Sequence, residues 1–226
     1  MIKLIIFDLD GTLLNTIDDL ADSTNHVLQQ NGFSTHDIEV YKYFVGDGAA
    51  MLVRRALPQE TPEATFTKVL NDFMSYYEIH KADKTAPYPG IIETLEQLQE
   101  KGVLLTVATN KPHELLPDLM AYYFSTIKWS AVFGNRKDVP IKPHPQIVYD
   151  ILAACRDRAC TVSTNIPNIQ KNNVLYIGDT AIDMQTAQNA GITKVGVLWG
   201  FRPKAELEQA HADFIIKHPQ ELISLI

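Results

Sequence analysis

Six short apolar runs punctuate the chain, at residues 4–7, 103–108, 131–133, 174–177, 195–198 and 214–216. All but the fifth, which runs on into Trp199, are bounded on both sides by glycine or polar residues, the pattern of a strand buried on both faces. Between them the spacing changes to a helical period. Ile91, Ile92, Leu95 and Leu98 share one face, and Gly102 closes that helix. Further helices are predicted over 114–124 and 146–154, with another ending at Gly191. Helices alternating with apolar strands predict an α/β fold, a doubly wound and mostly parallel sheet with right-handed crossovers.

One stretch breaks the alternation. Ile17, Leu20, Thr24, Val27 and Leu28 recur at helical spacing, with Asp18 and Asp19 in the first turn and Gly32 as a stop. Two more amphipathic segments are predicted over 49–57 and 62–79, the latter with Phe66, Val69, Leu70, Phe73 and Tyr77 on one face. The polar stretch 80–89 reads as a return linker. The expected division is a core of residues 1–14 and 85–226 and a helical insert of residues 15–84. A second irregularity is the polar stretch 156–173, after a helix expected to end near Cys155. It exceeds the usual connection of ~2–6 residues and reads as a surface insertion, a tolerated loop or a partner-binding segment.

Polar clusters fall where the strands end. The first strand runs into Asp8-Leu9-Asp10-Gly11-Thr12, and residues two apart share a side if a strand continues. Both carboxylates are therefore expected to converge on one small volume, where like charges need a cation or a proton. The second strand ends at Thr109-Asn110-Lys111, Lys142-Pro143-His144-Pro145 opens a later helix, and the fourth strand ends at Gly178-Asp179, followed by Asp183. Open α/β sheets bind ligands at the carboxyl ends of their strands. Taken singly, Thr109-Asn110 reads as a cap before Pro112, Lys142 as a surface lysine and Asp179 or Thr180 as an N-cap. Their common placement around one cleft favours a site.

Charge narrows the classes. With 27 acidic against 20 basic side chains, the net charge is −7, and no basic stripe suits nucleic acid. An anionic substrate must then be drawn in by local positive charge or a metal. No apolar run approaches the ~20 residues of a membrane span, and the N-terminal run is too short for a signal peptide. The two cysteines, Cys155 and Cys160, suit free thiols in a cytoplasmic protein better than a zinc site.

The four clusters together resemble the motifs of the haloacid dehalogenase superfamily of phosphohydrolases. That resemblance implies a catalytic set of Asp8, Asp10, Thr109 and Lys142. Asp8 would be the nucleophile that forms an aspartyl-phosphate, and Asp10 the acid and base. Mg²⁺ would be held by Asp8, the backbone carbonyl of Asp10 and Asp179, with Asp183 orienting ligands or water. Thr109 and backbone amides near Gly11 and Asn110 would hold the phosphoryl oxygens, and Lys142 would neutralise charge. The insert would be a cap that closes over the substrate.

Further stretches resemble the phosphoglycolate phosphatase branch: Asp19-Leu20, Val45-Gly46-Asp47-Gly48-Ala49, Arg54-Arg55, Tyr88-Pro89-Gly90, Thr109-Asn110-Lys111-Pro112 and Trp199-Gly200-Phe201. Asn15-Thr16 stand where the branch usually has Asp-Ser. The implied substrate is a small phosphomonoester acted on by a monomer or weak homodimer, with Arg54 a candidate clamp for the leaving group. Alternatives are a β-phosphoglucomutase-like sugar phosphomutase and a non-catalytic phosphate-binding regulator. Gly-Thr-Leu after Asp10 and the Gly46-x-Gly48 loop favour the phosphatase.

Overall fold

The computed structural model describes residues 1–161 and 169–226. All six expected strands form: β1 (Leu4–Phe7), β4 (Leu104–Pro112), β5 (Trp129–Asn135), β6 (Val174–Gly178), β7 (Thr193–Val197) and β8 (Phe214–Ile216). They make one parallel sheet in the order β5-β4-β1-β6-β7-β8. Strand alternation divides β1 between two cores. Ile5 and Phe7 pack with α5 (Ile91–Glu100) and α6 (Leu116–Tyr123) on one face. Leu4 and Ile6 pack with α7 (Gln146–Thr161) and α8 (Ala181–Ala190) on the other. With both faces covered, the strands need no polar alternation, which is why they read as unbroken apolar runs. The chain runs from β1 to β4 on one side and reaches β6 on the other. The topological switch point therefore lies at the carboxyl end of β1.

Between β1 and β4 lie α1 (Ile17–Gln30), α2 (Ile38–Phe44), α3 (Ala49–Ala56) and α4 (Glu63–His80). Val27, Leu28, Val53, Val69 and Phe73 form their own fully buried cluster, joined by Leu115 and Phe201 from outside the insert. The two connections to this block are not independent. β2 (Leu14–Asn15) pairs antiparallel with β3 (Ala86–Pro87). Both Asp19 oxygens accept from the backbone amides of Lys84 and Thr85, at 2.8–3.1 Å. What reads as a plain polar linker over 80–89 is thus a short ribbon tied to the first turn of α1.

Two expectations need correction. Helix α7 does not stop near Cys155 but continues to Thr161, so the start of the 156–173 stretch is helical. Its central part, residues 162–168, lies outside the described residues, and Lys171–Asn173 form a 3₁₀ turn before β6. Helix α2 was not expected, because only Tyr41 of its seven residues is buried and one inward position leaves no period to read. No helix among the described residues is long and apolar enough to cross a membrane.

Candidate active site

Asp8 follows β1 directly, and its backbone amide still donates to Ile177 in β6 at 2.9 Å. Asp179 follows β6 directly, and Asp183 lies in the first turn of α8. Register between β1 and β6 brings these carboxylates together. One oxygen of each of Asp8, Asp179 and Asp183 lies within 4.8 Å of the other two, and all three residues are buried. Lys142 enters from the loop before α7 at 1% exposure. Its Nζ reaches Asp8 Oδ1 at 2.9 Å, Asp183 Oδ1 at 2.7 Å and the Ala108 carbonyl at 3.2 Å. Asn110 holds that loop: its Oδ1 accepts from the Lys142 amide and its Nδ2 donates to the Lys142 carbonyl.

Three buried carboxylates face one ammonium. Burial, then the neighbouring Asp183, pushes Asp8 well above the usual carboxylate range. The same two causes push Asp179 up to about 7. Burial works against the charge on Lys142, but Asp183 and Asp8 outweigh it and hold that ammonium well above its ordinary value. An all-oxygen, net negative cluster suits a hard divalent cation such as Mg²⁺, which takes a few carboxylates and keeps water or phosphate oxygens in its remaining positions. The residues present fit that ion.

The linkage sign is testable. A carboxyl raised in the folded state contributes stability that is complete below its unfolded value and lost as pH rises through the folded one. Metal-free protein should therefore lose thermal stability between about pH 4 and about pH 7 through Asp179, with the raised Asp8 adding in the same direction. Mg²⁺ binds the ionised form, so the Tm gap between Mg²⁺-saturated and chelated protein should widen over the same interval. A constant gap in a melting series would count against a metal on these carboxylates.

Asp10 departs from expectation. The backbone turns straight after Asp8, with the amides of Thr12, Leu13 and Leu14 all donating to the Leu9 carbonyl, so the two-apart rule of a strand no longer holds. The Asp10 carboxylate does not join the cluster around Asp179. Instead its Oδ1 meets Lys111 Nζ at 3.0 Å. The Gly11 amide itself is engaged, donating to the Leu14 carbonyl at 2.9 Å. Its φ of +82° and its contact with Asp179 explain the glycine: a Cβ there would sit 2.4 Å from Asp179 Oδ2. Asp183 accepts from the Thr180 amide and hydroxyl, so it closes the N-terminus of α8 while holding Lys142.

Above these groups lies a cleft between the sheet edge and the helical insert. Thr109, Asn110, Gly46 and Gly48 all line it. Thr109 Oγ1 accepts from the Lys111 amide, and Asn110 Nδ2 donates to the Gly46 carbonyl, which ties the insert's loop to β4. The structure does not bring Arg54 to this cleft. Its guanidinium pairs with Glu63 at 2.6 Å and stacks over Phe66 at 3.5 Å, because its position on α3 faces α4. His144 is exposed and accepts from the Gln146 amide.

Sequence reasoning missed two residues in the cleft, Lys111 and Tyr77. Lys111 is 4% exposed, and its Nζ donates to the Tyr77 hydroxyl at 2.6 Å. The available signal was position, since Lys111 follows Thr109 and Asn110 at the carboxyl end of the second core strand, where the other site residues gather. Tyr77 looked like one more member of the apolar stripe of α4. It also missed the supports of Asp179, whose oxygens accept from Thr12 Oγ1 at 3.2 Å and the Phe201 amide at 2.8 Å.

The match to known proteins is extensive. The family model for haloacid dehalogenase-like hydrolases covers residues 5–197. A phosphoglycolate phosphatase of Mannheimia succiniciproducens is 31% identical over 99% of this chain and 98% of its own. Another, from Rhodobacter capsulatus, is 34% identical over 89% of this chain and 87% of its own. Among solved structures, a candidate phosphoglycolate phosphatase from Lactobacillus delbrueckii subsp. bulgaricus superposes with a TM-score of 0.89 at 29% identity, covering 99% of this chain and 98% of that one. The chain belongs to the haloacid dehalogenase-like hydrolases, and within them to the phosphatases of the phosphoglycolate phosphatase branch.

Proposed function

We propose that the protein is a Mg²⁺-dependent phosphomonoesterase whose substrate is phosphoglycolate, acting through an aspartyl-phosphate on Asp8. The observation that carries this reading is the meeting of Asp8, Asp179, Asp183 and Lys142 at the switch point of the sheet. Asp8 Oδ1 is pinned by Lys142 and by the Leu9 amide at 2.7 Å, which fixes the carboxylate plane. An Asp8 oxygen attacks phosphorus as the bond to the leaving oxygen breaks, and Asp10 delivers a proton to that oxygen. Asp10 then takes a proton from water as the water oxygen displaces Asp8. Lys142 offsets charge on the nucleophile, and Thr109 at the cleft floor faces the transferring group. Mg²⁺, held by Asp8 and Asp179 with Asp183 beside them, would neutralise charge on the phosphoryl oxygens. The insert of residues 15–84 acts as a cap, roofing the cleft with apolar side chains that exclude bulk water.

Phosphate release from phosphoglycolate by the purified protein tests the reading. Turnover should vanish in chelator and return with Mg²⁺, while Ca²⁺ should inhibit, because its looser coordination lets a carboxylate bind through both oxygens. Full activity in chelator, or conversion of a hexose 1-phosphate into its isomer at a higher kcat/KM, would overturn it.

A further inference from the structure

We infer that Lys111 and Tyr77 together form the clamp that reads an anionic carboxylate on the leaving group, a specificity site split between the core and the helical insert. The inference rests on the phosphoglycolate reading and deepens it. A phosphorylated 2-hydroxy acid carries two anionic ends. One end is the phosphoryl group, which falls to the cluster around Asp8. The other needs a cation at the far side of the cleft, and Arg54 is turned away onto Glu63 and Phe66.

Lys111 is the one cationic side chain lining the cleft among the described residues. Its ammonium has three N–H donors. One goes to Asp10 Oδ1 at 3.0 Å and one to the Tyr77 hydroxyl at 2.6 Å. No described protein group takes the third. Tyr77 accepts from Lys111, so its own O–H remains to be donated, and burial keeps this phenol protonated, pushing it up to about 12. Two donors, one charged, thus stand side by side in the cleft, next to the residue that protonates the leaving oxygen. A carboxylate with two acceptor oxygens matches that pair.

The rest of the roof sets the size. Leu20, Leu52, Phe73 and Met74 offer no polar atom to a sugar hydroxyl, which would lose its hydrogen bonds with water on entering. Short carboxylated leaving groups fit this lining, and polyhydroxylated ones do not. Since Tyr77 stands on α4 and Lys111 on β4, a bound carboxylate also bridges insert and core.

The test compares kcat/KM for phosphoglycolate and for ethyl phosphate, which has a methyl group in place of the carboxylate, in saturating Mg²⁺. Wild type should prefer phosphoglycolate by about 100-fold or more. Lys111→Met should slow both esters, because it also frees Asp10, but should bring the ratio close to one. Tyr77→Phe, which keeps the ring packed, should lower the ratio about tenfold, and Lys111→Arg should retain most of it. Should Lys111→Met fail to fold, the ratio in Tyr77→Phe alone decides whether the clamp stands. An unchanged ratio in Tyr77→Phe and Lys111→Met, or its collapse in Arg54→Ala instead, overturns the clamp and leaves the phosphoglycolate reading standing. A wild type that hydrolyses aryl phosphates but shows no preference for the carboxylated ester overturns both.

Discussion

Asp8→Asn should reduce turnover of every phosphomonoester below about one ten-thousandth of wild type, since it removes the proposed acceptor of the phosphoryl group. The fold should survive the change. Asparagine has the same shape, and the carboxylate it replaces is buried beside Asp179 and Asp183 with its ionised form disfavoured by both burial and Asp183. Removing that charge relieves repulsion, while Lys142 keeps Asp183 and the Ala108 carbonyl as partners. In chelator the variant should therefore melt no lower than wild type. Circular dichroism melts beside a phosphate-release assay make the comparison. Activity near the wild-type level would remove Asp8 from the mechanism.

Lys142→Met should be costly twice over. The methionine fills the aliphatic channel but leaves Asp8 and Asp183 buried without their cation. Breaking such a pair from one side typically costs about 3–5 kcal/mol. Activity should fall by at least about a thousandfold as well, because in the proposed mechanism this ammonium both places Asp8 and offsets charge on the phosphoryl group. Denaturant unfolding and single-turnover assays separate the two losses. A Lys142→Met protein with wild-type stability and only a modest rate defect would remove this ammonium from both the charge balance of the site and the mechanism.

The sheet was legible because strands covered on both faces must be apolar throughout, and Leu4–Phe7 or Val174–Gly178 admits few other readings. The residues ending those strands were legible for the same reason, since strand ends in a parallel sheet share one edge. Side-chain direction past the last strand residue was not. Asp10 follows a turn rather than a strand, so it meets Lys111 instead of the carboxylate cluster. Arg54 shows the same limit on a helix, where Ala49 and Leu52 of α3 line the cleft and Arg54 turns to α4 instead. The contact between Lys111 and Tyr77 spans 34 positions and two elements, so no local period encodes it.

The ribbon formed by Leu14–Asn15 and Ala86–Pro87 has a consequence for descent as well as for motion. The insert leaves and returns through these two paired strands, about 5 Å apart as antiparallel partners are. Closing so wide an excursion at so narrow a neck costs only a slowly growing chain entropy, and the core need not be reshaped to accept it. A different excursion grafted at that neck would meet the same Asp8 and Asp179, provided it also covers Leu115 and Phe201 and supplies partners for Asn110 and Lys111. New selectivity can arise by replacing a module, with the bond-breaking apparatus left as it stands.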